Sequence, residues 1–340
     1  MVLSYSKKKI KKYIYGNRSK VVKDIKKNLK LNKNLKYFIR SFGNKYPNKK
    51  FYIIQRYRGG GMFSNLNYVI HHISLALNLG CIPIVDMENF PTKYNEINKV
   101  ENTINSWEYY FKPLNHYKLN DVYKSKFVII ADGKTRNKLE FDNFQKSHFF
   151  IFKKYIKIKK KILIEVKKFL KKNFLNKKVL GVHFRGTDMK TQERHPYPAT
   201  IKQIVSYIDY EIKKYKFKKI FLVTEDLNYL EKLKKKYKDK ICYYNSFRTK
   251  KSDIFDGQRK NHRYLIGKEN IIDMLLLSNT HSIICTNSNL VNASNFIKKF
   301  KIKTIKINNG YNSNNLLVAQ FSWYIKKLFP EFLGGFKLKK

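Results

Sequence analysis

The segment VLGVHFRGTD, residues 179–188, places His183, Arg185 and Asp188 at the spacing H-x-R-x-x-D directly after an apolar run. The run predicts a buried strand. Because side chains two apart share one face of a strand, His183 and Arg185 are expected to point together beyond its carboxyl end, with Asp188 in the following loop. An arginine at that edge of an open α/β sheet suits a diphosphate, since its planar fork binds two phosphate oxygens at once. The alternative interpretation is a strand that merely ends in polar residues.

A second segment that can do chemistry is RYRGGGMFSNLNYV, residues 56–69, in which three consecutive glycines join a predicted strand to a predicted helix. Glycines at such a junction let backbone N–H groups approach a ligand, and the start of a helix favours negative charge. Gly61 and Asn65 are its candidate binding residues. Neither the dinucleotide fingerprint G-x-G-x-x-G nor a P-loop is present. The alternative is a flexible turn in which Ser64 or Asn65 caps the helix.

Carboxylates follow the apolar strand of IFLVTEDLNYL, residues 220–230, where Thr224, Glu225 and Asp226 stand at the start of a predicted helix. Asp226 is a suitable cap for that helix. A carboxylate at the end of a strand also accepts two hydrogen bonds, and a guanine edge or a ribose diol offers such a pair of donors. Both roles stay open for Asp226.

Four consecutive polar residues follow another strand in IICTNSNLVNAS, residues 283–294, and Thr286, Asn287 and Ser288 are the candidate binding residues among them. Hydroxyl groups and the free N–H groups of a helix start suit a phosphate, and capping alone explains only one of these polar residues. Because the carboxyl ends of parallel strands line one edge of a sheet, the three strand ends of this half of the chain are expected to converge on one crevice.

Lysine and arginine total 73 against 24 acidic residues, which gives the 340-residue chain a net charge of +49. Only 10 of the 73 are arginines, and the excess of Lys, Asn, Ile, Tyr and Phe is typical of an A/T-rich coding background. Where lysine is the default cation, a retained arginine indicates a need for planar, bidentate geometry. The charge also attracts polyanions, whether nucleic acid or an anionic membrane surface.

The length suits two domains, and the three distant cysteines form neither a disulfide framework nor a metal site, which predicts buried thiols in a reducing compartment. No apolar run is long enough for a membrane span, and the first residues lack the apolar stretch of a signal peptide, so a cytoplasmic location is expected. Aromatic residues between 90 and 111 supply either a sugar platform or a core.

Short apolar strands alternate with helical runs, which predicts an α/β fold of two Rossmann-like domains with parallel sheets. Strands are predicted at 51–58, 81–87, 127–132, 179–184, 220–224, 241–244, 282–286 and 304–307. Helices are predicted at 64–80, 153–176, 200–215, 227–237, 267–279, 288–299 and 316–329. The expected organisation is a basic N-terminal segment with one or two helices at 1–48, a first domain at 49–150, a connecting helix at 151–177, a second domain at 178–315, and a helix and tail at 316–340.

Four motifs in order, GGGMFSNL, HFRGTD, TED and DMLLLSNTHSIICTNSN from Asp273, resemble the fucosyltransferase-like glycosyltransferases, which include core, nodulation and protein O-fucosyltransferases and bacterial relatives. The resemblance implies a GT-B architecture with the donor site in the cleft between two Rossmann-like domains. It further implies that the first domain lies on the acceptor side and that the second holds the donor substrate GDP-fucose, with no cofactor.

The resemblance also assigns the phosphate contacts. Arg185 is expected to grip the diphosphate, helped by Ser288 and the amides around it at Thr286 and Asn287. Asn65 is expected to reach over from the first domain, where the glycine loop stands at Gly61.

The remaining roles follow from the same resemblance. The main chain and ring of His183 are expected to lie against the nucleotide, and Asp226 to contact the guanine or the ribose, with Glu225 as a second candidate. The acidic residue ten positions after the motif histidine, Glu193, is the candidate base, and Asp188 is the other carboxylate that can accept the proton of the acceptor hydroxyl.

This chain departs from its relatives in two places. Many of them carry two adjacent arginines, but here the second position is Gly186, so that the lost contact must be supplied elsewhere, for which Arg248 or Arg263 is a candidate. Glu225 also stands where the relatives carry an aspartate, which leaves a different nucleotide sugar open as the donor.

The expected reaction is an inverting transfer of fucose to a glycan or a lipid-linked glycan, in which Arg185 and the helix start at Ser288 neutralise the departing diphosphate. No D-x-D motif is present, so transfer without a metal is expected. The charge predicts peripheral contact with the anionic inner face of a membrane, and nucleic acid is not an expected partner. The alternatives are a GT-B enzyme with another donor, or a non-catalytic polyanion-binding protein that stacks bases on some of its 25 Tyr and 25 Phe.

Overall fold

The structure is a computed structural model that describes residues 37–57, 60–131, 144–186, 188–250 and 253–339. The chain divides into two compact units. Unit 1 comprises Met1–Ile162 and Gly257–Lys268, and unit 2 comprises Leu163–Asp256 and Glu269–Lys340. The prediction of one or two basic helices in residues 1–48 lies, as far as position 36, outside the described residues.

Unit 1 is a mixed α/β unit around a four-stranded sheet. Its elements are β1 (Tyr37–Arg40), β2 (Lys50–Ile54), α1 (Met62–Asn78), β3 (Ile82–Val85), α2 (Leu119–Val122), β4 (Phe127–Ala131) and α3 (Phe149–Tyr155). The strand order is β1-β4-β2-β3, with β2 parallel to both of its neighbours and β1 antiparallel to β4. The aromatic residues predicted as a sugar platform or a core are largely core, since Trp107, Tyr109, Tyr110 and Phe111 are buried.

Unit 2 contains a five-stranded sheet in which every strand is parallel to its neighbours. Its elements are β5 (Val179–His183), α5 (Ile201–Tyr215), β6 (Lys219–Val223), α6 (Leu227–Tyr237), β7 (Ile241–Cys242), β8 (Ser282–Cys285), α8 (Asn289–Ile297), β9 (Lys303–Lys306) and α9 (Leu316–Leu328), while α4 (Lys160–Asn173) and α7 (His262–Leu277) run from unit 1 into unit 2. The strand order is β7-β6-β5-β8-β9. The predicted α/β class with Rossmann-like units is therefore confirmed.

The central strand β5 is buried along its whole length, as expected of a parallel strand with helices on both faces of its sheet. Gly181 lies in the middle of this strand. A Cβ atom there would stand 2.8 Å from Thr280 Oγ1 and 2.9 Å from Leu277 Cδ2. A larger residue at position 181 would therefore force the buried side chains of Leu277 and Thr280 to shift.

Several predicted boundaries were wrong because long-range contacts set them. The predicted long, exposed helix 153–176 is interrupted between α3 and α4, where Lys112 N donates to Lys157 O and Lys159 N donates to Tyr110 O. The strand predicted at 51–58 ends at Ile54, and the side chain of Gln55 instead donates to Ala131 O.

Two further elements differ from the sequence prediction. β1 is a strand within the segment for which helices were predicted, because it pairs with β4 in a register that places Arg40 opposite Val128. α7 begins five residues earlier than predicted, at His262. All three cysteines are free and buried, as predicted. Among the described residues, no helix has the length and apolar character needed to cross a bilayer.

Candidate functional site

The order of the strands in unit 2 creates a switch point between β5 and β8. The chain passes from β5 to β6 and β7 on one side of the sheet, and α7 then carries it to β8 on the other side of β5. His183 is paired with Cys285 at this edge, so the segments that follow β5 and β8 begin side by side. Ligands of open α/β sheets bind outside the carboxyl ends of the strands at such a point.

Arg185 lies two residues beyond the end of β5 and is 43% exposed. Its Nε atom forms an ion pair of 3.4 Å with Oε1 of Glu225, which follows β6 and is largely buried. The pairing of β5 with β6 continues one residue further, because Phe184 N donates to Val223 O. The structure thus brings two predicted site residues together, and it places Glu225 where it orients the arginine.

His183 is buried at the end of β5. Burial, assisted by the positive charge of Arg185, lowers the pKa of His183 to about 3, so the ring is neutral at physiological pH. Among the described residues its Nδ1 atom is buried and has no hydrogen-bond partner. A neutral ring suits contact with a nucleotide, and it cannot neutralise a phosphate.

Asp226 caps α6, as predicted. Its Oδ1 atom accepts hydrogen bonds from Asn228 N at 2.8 Å and Tyr229 N at 3.3 Å. Its Oδ2 atom lies 4.0 Å from Nζ of Lys190. The cap therefore occupies one oxygen of the carboxylate, and the predicted contact with guanine or ribose would have to use the other.

Lys190 is a charged residue at this edge that the sequence prediction missed. Its side chain is largely buried, and burial lowers its pKa from the usual value. The ammonium lies 4.9 Å from the ring centre of Tyr229 and 5.2 Å from that of Trp323. Because most of the 73 basic residues are lysines, no sequence pattern distinguishes Lys190 from the others.

The start of α8 forms the β8 side of the switch point. Ser288 is its N-cap, and the hydroxyl of Ser288 accepts a hydrogen bond from Leu290 N. Thr286 is buried and Asn287 is exposed. The N–H groups at the start of a nine-residue helix and its positive dipole end therefore stand beside the segment that carries Arg185.

Gly186 is enclosed by its neighbours. A Cβ atom at this position would lie 3.3 Å from Pro198 Cβ and 3.3 Å from Tyr229 Cε2. The ring of Tyr229 is itself fixed by stacking on Phe184, with 3.9 Å between ring centres. A side chain at position 186 would therefore crowd Tyr229 and Pro198 at its first carbon atom.

The two arginines predicted as substitutes for that contact are hydrogen-bonded to carbonyl groups elsewhere. Arg248 donates from its two terminal nitrogens to Ser246 O and Tyr244 O, and Arg263 donates to Lys93 O within unit 1. The replacement of the lost contact by Arg248 or Arg263 stays a prediction.

The loop after β5 carries both candidate bases. Asp188 begins a single turn of 3-10 helix, and its side chain lies outside the described atoms, while Glu193 is exposed. Asn312 fastens the loop through bonds from its amide to Lys190 O and to Ala319 O, and Trp323 Nε1 donates to Pro198 O. Asn312 and Trp323 therefore fix the position of the loop, and Glu193 stays accessible to solvent.

In unit 1, Gly61 is the N-cap of α1, which corrects the alternative that Ser64 or Asn65 caps this helix. Asn65 lies inside the helix and is buried, and its Oδ1 atom accepts a hydrogen bond of 2.8 Å from Gly60 N. A Cβ atom on Gly61 would meet no atom within 4 Å. The structure thus gives Asn65 the role of holding the glycine loop, with Gly61 open on its surface.

Comparisons of this chain with known proteins found matches among solved structures. No protein-family model and no curated protein matches the chain. The structure of NodZ alpha-1,6-fucosyltransferase co-crystallised with GDP matches with a TM-score of 0.48 and 15% identity over 77% of this chain and 96% of that one. In fold, the chain is similar to fucosyltransferases.

Two further fucosyltransferase structures match. POFUT1 in complex with GDP gives a TM-score of 0.46 and 11% identity over 76% of this chain and 99% of that one. A variant of Arabidopsis thaliana FUT1 in complex with GDP gives a TM-score of 0.45 and 11% identity over 76% and 71%.

The last of the four fucosyltransferase-like motifs begins at Asp273, which is buried on α7. Its Oδ2 atom accepts a hydrogen bond of 3.2 Å from Ser246 Oγ, and Glu269, one turn earlier, accepts one from Phe247 N. Both carboxylates therefore hold the loop that follows β7, which also pairs with the β6 end through Thr249 N and Glu225 O. The motif thus supports the edge of the sheet at which Glu225 and Asp226 stand.

Proposed function

We propose that this chain is an inverting glycosyltransferase that transfers fucose from GDP-fucose to a hydroxyl group of a glycan or lipid-linked glycan, without a metal ion. The observation that carries the proposal is the placement of the half-exposed Arg185 and of the α8 start at Ser288 on the two sides of one switch point. A guanidinium and a helix N-terminus side by side form a site for a diphosphate. The order of the four motifs, through their resemblance to fucosyltransferase-like enzymes, supports GDP-fucose as the donor.

Arg185 is proposed to hold the diphosphate and to neutralise the charge that develops on it as the bond between the phosphate oxygen and the anomeric carbon breaks. Donors that are already oriented when that charge appears stabilise the transition state by about 3 to 4 kcal/mol each. The ion pair with Glu225 supplies this orientation, because it fixes the Nε edge of the guanidinium. Glu225 is thus proposed as a positioning residue for Arg185.

The remaining groups are proposed to bind the nucleoside and to move one proton. The neutral ring of His183 lies against the nucleotide, and the second oxygen of Asp226 contacts the guanine or the ribose. As the acceptor oxygen forms its bond to the anomeric carbon, its proton passes to a carboxylate in the loop after β5, for which Glu193 and Asp188 are the candidates. We also propose a cytoplasmic location.

The donor is tested by thermal unfolding with GDP, GDP-fucose, UDP, CMP and ADP at equal concentrations. A ligand at about 100 times its Kd stabilises the folded state by about 2.7 kcal/mol. GDP and GDP-fucose should therefore raise the Tm, and the other nucleotides should not. A rise in Tm with UDP or CMP and none with GDP would show that the donor is a different nucleotide sugar. No rise with any nucleotide, together with tight and salt-sensitive binding of nucleic acid, would favour a polyanion-binding protein.

A further inference from the structure

An apolar surface covers the C-terminal part of unit 2. Of the eighteen large hydrophobic side chains that are exposed among the described residues, eleven lie between positions 316 and 338. Soluble chains rarely expose so many neighbouring apolar side chains, and such a surface marks an interaction site. We call these eleven the C-terminal apolar surface: Leu316, Leu317, Val318, Phe321, Tyr324, Ile325, Leu328, Phe329, Phe332, Leu333 and Leu338.

Helix α9 is apolar on two opposite faces. Its inner face packs on unit 2 through Ala319 and Trp323, which are both buried. On the outer face, Leu317, Phe321 and Leu328 are 71%, 62% and 84% exposed, and their spacing of four and seven residues aligns them along the helix. Packing within unit 2 thus accounts for the inner face only, and the outer face is left for a partner.

The segment after α9 is fastened to unit 2, so its exposed side chains are held in position. The ring of Phe336 packs against Tyr197 and Trp323, and Gln203 Nε2 donates to Lys337 O. Between these contacts and the helix, Phe332 is 85% exposed. The tail therefore holds Phe332 exposed in the segment directly after α9.

The charge around this surface is positive. Residues 316–339 carry four lysines, Lys326, Lys327, Lys337 and Lys339, against Glu331 alone, a net charge of +3 in a chain of +49. Two copies of this chain repel each other, whereas an anionic lipid surface attracts it. An apolar helical face on a segment of net positive charge is typical of helices that lie in the plane of the membrane interface.

We propose that the C-terminal apolar surface docks on an anionic lipid bilayer, with α9 parallel to the membrane plane. A helix of 13 residues spans only about 20 Å, which is too short to cross the hydrocarbon core. Its outer side chains and Phe332 enter the interface, and the lysines bind the lipid phosphates. This docking does not depend on the proposed transfer activity, since it needs no nucleotide sugar.

The test measures binding of the full chain to vesicles of phosphatidylcholine with and without phosphatidylglycerol. The double variant Phe321→Glu and Leu328→Glu removes two apolar contacts and adds two negative charges. The matched control makes the same changes at Phe150→Glu and Leu175→Glu, which are 69% and 60% exposed elsewhere on the chain. Wild type and control should bind the anionic vesicles, and the α9 variant should bind them about tenfold or more weakly.

Equal binding by the two double variants would overturn the proposal, because attraction would then come from the overall charge. Sedimentation without lipid supplies another test: a dimer that the α9 variant dissociates would assign the surface to a second copy of the chain. A third measurement does not depend on added charge. Phe321→Trp should shift its emission to the blue and be quenched by brominated lipid, and an unchanged spectrum would exclude insertion.

Discussion

The contribution of the buried carboxyl group of Asp273 to the stability of unit 2 should fall as the pH rises from about 4 to about 7. Burial raises the pKa of Asp273 from 3.8 to about 7, with a further contribution from Glu269, against the opposing effects of Arg248 and the Ser246 hydroxyl. Between pH 4 and pH 7 the carboxyl group of Asp273 is therefore protonated in the folded chain and ionised in the unfolded chain. Each pH unit in that window lowers the contribution of Asp273 to the free energy of unfolding by about 1.4 kcal/mol, or about 4 kcal/mol in total.

Replacement of Asp273 by Asn keeps the shape of the side chain and removes its titration. We expect urea unfolding near pH 5 and near pH 8 to show the variant gaining stability relative to the wild type by about 2.5 kcal/mol as the pH rises. Asp239→Asn, at an exposed position of unit 2, is the control and should show little change. A difference between wild type and Asp273→Asn that stays constant over this range would refute a buried, protonated Asp273.

Three other outcomes follow from the geometry of the site. Gly186→Arg should lower the free energy of unfolding by about 1 to 3 kcal/mol in urea and leave GDP affinity no tighter, because the new side chain crowds Tyr229 and Pro198; a tighter complex would contradict this. Asp226→Ala should cost about 1 kcal/mol of stability through the lost cap, while Asp226→Asn should cost clearly less, and equal losses would argue against the cap. Chelation by EDTA should leave GDP binding unchanged in calorimetry, and loss of binding would contradict metal-independent transfer.

Features that depend on local interactions were predicted well from the sequence. α6 spans Leu227–Tyr237 as predicted, because Asp226 caps it through bonds to N–H groups two and three residues ahead. The strand ends that carry Arg185 and Glu225 were also predicted, since apolar runs followed by polar residues fix where a parallel strand leaves the sheet. Their mutual ion pair follows from this topology.

Features that depend on distant parts of the chain were missed. The interruption between α3 and α4 is stabilised by backbone bonds to residues 110–112, which the local helical pattern of 153–176 does not contain. The crowding at Gly186 arises because α6 and the loop after β5 bring Tyr229 and Pro198 to the same point. Lys190 was missed because its burial depends on Trp323, more than a hundred residues further along the chain.

The central claim, that the edge of the unit 2 sheet binds a nucleoside diphosphate through Arg185, is tested most directly by calorimetric titration of GDP into the wild type and Arg185→Lys. The ion pair with Glu225 is partly exposed, so the replacement should change the free energy of unfolding by no more than about 1 kcal/mol. Loss of the bidentate contact should weaken GDP binding by about ten- to a hundredfold, whereas Arg40→Lys, the same replacement in unit 1, should not. Equal affinity of the wild type and Arg185→Lys for GDP, or no GDP binding by the wild type, would contradict the claim.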